Sequence, residues 1–151
     1  MQGRVRSLLV ARGRPCAQES ARSVVDLAGR DQLVARCQAD DRDERDEDPS
    51  TLHAVGLCGS GAAGTVRPHP LGEGLWKGDR LAVLPVYRRC NVGGPLVRFA
   101  VATAGDLGGR RMIATVQAQN VRFFVRLGWT PIGDLVPYLG HPHQGMEIPL
   151  R

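Results

Sequence analysis

Large aromatic side chains are scarce and late in this chain: no Phe, Tyr or Trp precedes Trp76, and all seven fall within residues 76–138. The front half must fold, where it folds, without the bulky anchors that dominate most cores. Lysine is scarcer still, with Lys77 alone beside nineteen arginines. Together with abundant Ala, Gly and Pro, that bias points to a GC-rich genome. The basic face interleaved with exposed aromatics that marks a nucleic-acid binder is missing, so no nucleic-acid partner is expected. No apolar run reaches the eighteen or so residues a membrane helix needs. The start, with only Leu8, Leu9, Val10 and Ala11 behind its first arginines, is too short for a signal peptide, and a cytoplasmic protein without membrane attachment is expected. The cysteines at 16, 37, 58 and 90 form no C-x-x-C pair, so they signal neither zinc nor a disulfide framework and are expected as reduced thiols. His141 and His143 flank Pro142 on what reads as an exposed late loop, and no metal is expected there.

At 151 residues the chain suits one domain with a single core of useful size. Its net charge of +5 is segregated. Residues 1–39 carry seven Arg against three acids, residues 40–48 seven acids against two Arg, and residues 49–151 eleven bases against five acids. The acidic run reads as a solvated loop. The basic remainder suits an anionic ligand.

Residues 81–96 carry the most chemistry. Leu81, Ala82 and Val83 read as an apolar strand, Arg88 and Arg89 as a basic turn, and Gly93-Gly94-Pro95 as the opening of a helix. A helix start offers unpartnered N–H groups and the positive end of the helix dipole, which favours an anion such as phosphate. The glycine pair lets ligand oxygens approach the backbone, and Pro95 fits the first helical position. No Lys-Ser or Lys-Thr follows Gly94, which excludes a Walker loop, and no G-x-G-x-x-G turn is present for a dinucleotide fold. A strand, turn and helix with no ligand is the plain alternative.

The motif that remains is Arg/Gln-x-x-Gly-x-Gly/Ala after a strand ending in Val-x-Pro, and here the chain resembles the GCN5-related N-acetyltransferase (GNAT) superfamily. Arg88 matches the first position and Gly93 the last, while Asn91 stands where the first glycine is usual. Asn tolerates the left-handed backbone region, so a weakened rather than abolished geometry is expected. A second block agrees with the resemblance: residues 111–117 read as a strand and 120–129 as a helix with Asn120 as N-cap and Gly128 as its left-handed stop. In many relatives this helix carries a tyrosine that protonates departing thiolate; the matching residue is Phe124, which has no hydroxyl. Phe123, Phe124 and Trp129 also suit plain core packing. More narrowly, residues 41–46 and 75–81 resemble a GNAT-like subgroup from actinobacterial nitrilase gene neighbourhoods.

The resemblance covers residues 49–151 and implies an α/β fold of α+β type, a central, mostly antiparallel mixed sheet with a splayed strand pair and flanking helices. Residues 51–57 and 63–68 read as a hairpin, and residues 131–139 and 145–150 as two closing strands. Residues 40–151 would form the acyl-CoA-binding core and residues 1–39 an atypical front. There, residues 4–10 read as a strand and 19–28 and 32–36 as helical turns, broken by Gly13, Pro15 and Gly29; the front is either an unusual folded segment or one altered by frameshift or decay. The implied activity is transfer of acetyl from acetyl-CoA to a small amine by direct attack, with a non-catalytic domain that binds acyl-CoA or a partner protein as the alternative. A homodimer is compatible with either. The implied contacts to acetyl-CoA fall on Leu81, Ala82, Val83, Arg88, Arg89, Asn91, Val92, Gly93, Gly94, Asn120 and Phe124. Asp79 is the candidate base, directly or through water, unless it forms a salt bridge with Arg80 or Lys77, and Tyr138 is the candidate acid.

Overall fold

A computed structural model describes residues 8–12, 45, 48–58 and 61–151. The helical turns expected at 19–28 and 32–36, most of the acidic run, Cys16 and Cys37 lie outside these residues. The described residues include strands β1 (Leu8–Arg12), β2 (His53–Cys58), β3 (Gly61–Gly72) and β4 (Leu75–Val83), helix α1 (Gly93–Asp106), strand β5 (Arg111–Gln117), helix α2 (Val121–Arg126), and strands β6 (Thr130–Tyr138) and β7 (His141–Pro149), with a 3-10 segment over Pro85–Cys90 between β4 and α1. The strands form one mixed sheet in the order β1-β2-β3-β4-β5-β7-β6.

Four of the six pairings are antiparallel; β1–β2 and β4–β5 are parallel. The β4–β5 pairing is short, joining only Leu75, Trp76 and Lys77 to Arg111, Met112 and Ile113. Beyond it the two strands separate. A cause lies on the other side of β4, where Thr65 pairs with Ala82 and Arg67 with Asp79, so that Val66 faces both Arg80 and Leu81. The extra residue, Arg80, adopts φ 50°. A bulge of this kind bends its strand and raises the local twist, here carrying β4 away from β5.

Cross-strand pairing sorts the sheet into two faces. Both helices lie on one. Leu96, Val92 and Ala100 of α1 and its approach pack on Ala54, Ala63 and Val66, with Leu81 and Val83 alongside. Val97 and Ala104 join Trp76, Met112, Ala114, Phe124, Trp129 and Met146 in a second cluster. The late aromatics thus serve as core: Phe124 stacks edge-on to Phe123 and to Trp129, each at 5.4 Å between ring centres. The close fit of α1 requires glycine beneath it, since a Cβ on Gly56 would strike Val92 and one on Gly64 would lie 2.8 Å from the Ala82 carbonyl oxygen. On the opposite face stand Arg67 and His69 of β3 with their partners Asp79 and Lys77 of β4.

Helix ends depart from the sequence reading in detail. Pro95 sits third in α1 rather than first, because Val92 is the N-cap; the first intrahelical N–H to donate is that of Leu96, to Val92 O at 3.0 Å, so a missing N–H at Pro95 is still without cost. Asn120 precedes α2 but its side chain makes no capping hydrogen bond. At the other end Gly128, at φ 93°, donates to Val125 O and Trp129 donates to Phe124 O, a Schellman closure.

Two expectations are overturned. Cys58 and Cys90 are not free thiols: they form a disulfide with Cα atoms 6.1 Å apart, within the range that bridging requires. Packing, not spacing, brings them together, for the 3-10 segment folds over the start of β3, anchored by Leu84 N–H on Ala63 O at 2.8 Å. The His141–Pro142–His143 stretch is no loop either. It opens β7 and pairs with the end of β6, and His143 is 8% exposed.

Candidate functional site

The separation of β4 from β5 leaves a cavity of about 310 Å³ at the centre of the sheet. Apolar walls come from the helix side: Val97 and Ala100 of α1, Met112, Ala114 and Val116 of β5, Phe124 and Trp129. Polar walls come from Asp79 and Arg80 at the bulge, Thr115 and Gln117 of β5, Asn120, and His143 of β7. Past Lys77, the edge of β4 that faces β5 has no strand partner among the described residues. Backbone groups on that edge can pair with an extended ligand as an added strand would. The indole N–H of Trp129, buried at the cavity wall, has no hydrogen-bond partner among the described residues. A buried donor left open in this way is costly unless something accepts from it.

At one end of the gap, β4 runs through Leu81, Ala82 and Val83 into the 3-10 segment and α1. Arg88 and Arg89 fall in the last turn of that segment and are exposed. Asn91 follows at φ 51°, ψ 41°, the left-handed conformation that its residue type allows and that glycine would adopt without strain. Val92 is buried beneath. Gly93 and Gly94 then open α1, and a Cβ on Gly93 would meet only Phe123 at 3.6 Å and Val83 at 3.8 Å. Glycine at 93 is therefore not demanded by the protein's own packing. What it leaves open is the approach to the first N–H groups of a fourteen-residue helix, with two guanidinium groups close in sequence. This donor set fits a phosphorylated ligand.

The expected site residues thus fall into two groups. Arg88, Arg89, Asn91, Val92, Gly93 and Gly94 form the helix-start turn, while Leu81, Asn120 and Phe124 line the cavity; Ala82 and Val83 connect the two on β4. Asp79 lines the cavity as well, but in a salt bridge whose partner is Arg67. The Arg67 Nε donates to Asp79 Oδ1 at 2.8 Å and its Nη2 to Oδ2 at 2.9 Å. The Arg67 side chain is 5% exposed and that of Asp79 24%. Tyr138 lies on β6 with its ring 59% exposed, outside the cavity lining, and stacks edge-on against His143 at 5.3 Å.

Sequence reasoning missed His143 and His69. His143 Nδ1 lies 2.9 Å from the His141 carbonyl oxygen. His69 is buried on β3, and neither ring nitrogen has a hydrogen-bond partner among the described residues. Burial holds its imidazole below the ordinary histidine range, outweighing the Asp79 carboxylate, which acts in the other direction; Arg45, Arg67 and Lys77 add to the depression. Alternation carried past residue 68 could have flagged a polar stripe on β3, which runs to Gly72, since Arg67 and His69 are two apart.

No curated protein matches the chain by sequence. Among solved structures, an aminoglycoside 6'-N-acetyltransferase complexed with coenzyme A superposes with a TM-score of 0.70 at 13% identity, over 87% of this chain and 96% of that one. The ribosomal-protein-S18-alanine N-acetyltransferase from Escherichia coli gives 0.66 at 17%, over 87% and 92%. A CoA-dependent acyl-homoserine lactone synthase, solved with SAM and isopentyl-CoA, gives 0.62 at 17% over 73% of this chain. Of that synthase the chain spans only 63%. At these identities the likeness is one of fold. The sequence model of the Acetyltransferase (GNAT) family, however, matches residues 21–129, and the chain is a member of that family.

Proposed function

We propose that the protein is an acyl-CoA-dependent N-acyltransferase that moves acetyl from acetyl-CoA to a small amine. The observation that carries this reading is the continuous path from the helix-start turn, along the unpaired edge of β4, into the cavity between β4 and β5. Arg88, Arg89 and the N–H groups at Gly93 and Gly94 hold the pyrophosphate. Leu81, Ala82 and Val83 pair through their backbone with the pantetheine arm, and the Trp129 indole donates to one of its carbonyl oxygens. The thioester then lies in the gap, beside Asn120 and Phe124, where a neutral amine reaches its carbonyl carbon from the face bearing Arg67, His69 and Asp79. Held at near-attack distance, the two reactants are spared the entropic cost of meeting. Asp79, fixed by Arg67, supplies a localised negative charge that draws an amine toward the gap, and Tyr138 offers a phenol at the rim. A cavity of about 310 Å³ suits a small acceptor. The nitrilase-neighbourhood likeness, residues 40–151 as the acyl-CoA-binding core and a cytoplasmic setting belong to the same proposal.

A second reading has its own support: Phe124 has no hydroxyl, and both Asp79 oxygens are engaged. A domain that binds acyl-CoA or a partner without turning it over has this appearance. Calorimetric titration with acetyl-CoA, followed by thiol release in the presence of alkylamines, polyamines, amino acids, aminosugars and arylamines, tests both. Binding with release supports transfer, binding without release supports the second reading, and absence of acetyl-CoA binding overturns transfer and leaves of the second reading only a domain that binds a partner.

A further inference from the structure

We infer that His143 is the proton acceptor for the attacking amine, a role that rests on the transfer reading above. Direct attack needs a group that takes a proton as nitrogen bonds to the acyl carbon. Three ionisable side chains line the cavity among the described residues: Asp79, Arg80 and His143. Arg80 stays protonated and accepts nothing. Asp79 holds Arg67 through both oxygens, so protonating it would break a bidentate pair whose arginine is buried.

His143 is set up differently. A carbonyl oxygen only accepts, so the 2.9 Å contact with His141 O fixes the neutral ring's hydrogen on Nδ1. The lone pair is then on Nε2. The residue is only 8% exposed, its ring is held edge-on by Tyr138, and His143 stands opposite Gln117 across β5–β7, beside the gap. On protonation the same carbonyl still accepts from Nδ1–H, so the imidazolium keeps its orienting bond. The charged and titratable groups around it are Tyr138 on β6, His141 on its own strand, and Asp79 and Arg80 across the cavity.

The amine lone pair forms the N–C bond and the C–S bond breaks, its electron pair leaving on the CoA sulfur. One amine proton passes to Nε2 of His143 and from there to the thiolate or to water.

The test uses the full chain, acetyl-CoA and the amine panel. His143→Gln keeps a hydrogen-bonding side chain but cannot titrate near neutrality. It should lower kcat/KM for the amine about 100-fold or more, with acetyl-CoA affinity unchanged by calorimetry. In the wild type, an arylamine acceptor that stays uncharged should give an ascending limb in the pH profile of kcat/KM, and the variant should lose it. A variant with wild-type rate and an unchanged limb overturns the assignment while leaving the transfer reading intact. Should the variant fail to fold, the wild-type profile decides: an ascending limb supports His143, and a flat profile from pH 5.5 to 8.5 refutes it. Wild-type protein that binds acetyl-CoA but acylates no amine removes both.

Discussion

Breaking the Cys58–Cys90 bond should cost the protein a large share of its stability. The bond closes a loop of sequence separation 32 that encloses β3, β4 and the 3-10 segment. Loop-closure entropy for that length, lost from the unfolded chain, corresponds to about 3–4 kcal/mol. For a chain of this size each kcal/mol moves the melting temperature by about 2–4 °C, so reduction should lower Tm by about 7–15 °C. A second consequence reaches the candidate site, because Cys90 is the residue before Asn91. Freed from β2, the turn must be ordered by the ligand instead, at about 1–2 kcal/mol for each residue so transferred; acetyl-CoA binding should weaken by about tenfold. The assay compares oxidised protein, reduced protein and the Cys58→Ala/Cys90→Ala variant by urea unfolding and by calorimetry, with peptide mapping to verify the cross-link. Reduced protein and double variant should coincide. Equal unfolding midpoints under oxidising and reducing conditions, or peptides that carry 58 and 90 unlinked after air oxidation, would refute the reasoning.

Three further outcomes follow from the same geometry. Gly93→Ala should leave stability unchanged or slightly raised, since its Cβ meets nothing closer than 3.6 Å and Ala favours helix; Gly93→Trp should abolish acetyl-CoA binding, and undiminished affinity in a folded variant would remove this turn from the site. Asn91→Gly should tighten acetyl-CoA binding modestly, and Asn91→Val should weaken it because a β-branched residue resists φ 51°; the reverse order in calorimetry would mean that the Asn91 side chain, not its backbone, matters. For His69, whose folded-state pKa is depressed by burial, the unfolded chain takes up the proton first, so the stability it contributes is complete above about pH 6.5 and drains away as pH falls toward the folded value. Urea midpoints between pH 7.5 and 5.5 should decline less steeply in His69→Gln than in the wild type, and parallel declines would sink that account.

How much of this was legible beforehand depended on whether the signal was local. The turn from Arg88 to Gly94 announces itself through a glycine pair and a proline, residues whose backbone limits are intrinsic, and the stop at Gly128 is readable for the same reason. Phe123, Phe124 and Trp129 likewise read as core packing. What stayed hidden depends on strand register. Lys77 and Arg80 were the natural partners for Asp79 along the chain, yet the β3–β4 pairing delivers Arg67 from twelve residues away. Cys58 and Cys90 carry no motif and meet only because the 3-10 segment folds back over β3. His143 reads as exposed until β6 closes over the start of β7, which is also what makes it useful.

The narrow seam between β4 and β5 has a mechanical meaning. Among the described residues, strand pairing between β1–β4 and β5–β7 is confined to three residues on each strand, Leu75–Lys77 and Arg111–Ile113, extended by the Arg110 and Arg111 N–H groups donating to Gly74 O. Each side is otherwise a self-contained ladder. Helix α1 crosses between them, with Leu96 and Ala100 packed on one cluster and Val97 and Ala104 on the other. The molecule is therefore built as two plates on a short hinge with a single strap. Flexing at the hinge widens the gap without breaking any other strand pairing, and the amides of the seam are the ones whose hydrogen exchange reports that opening. A backbone cut in the exposed turn at residues 107–108 would sever the plates while leaving each ladder whole, a natural place to divide this chain into two pieces that reassemble.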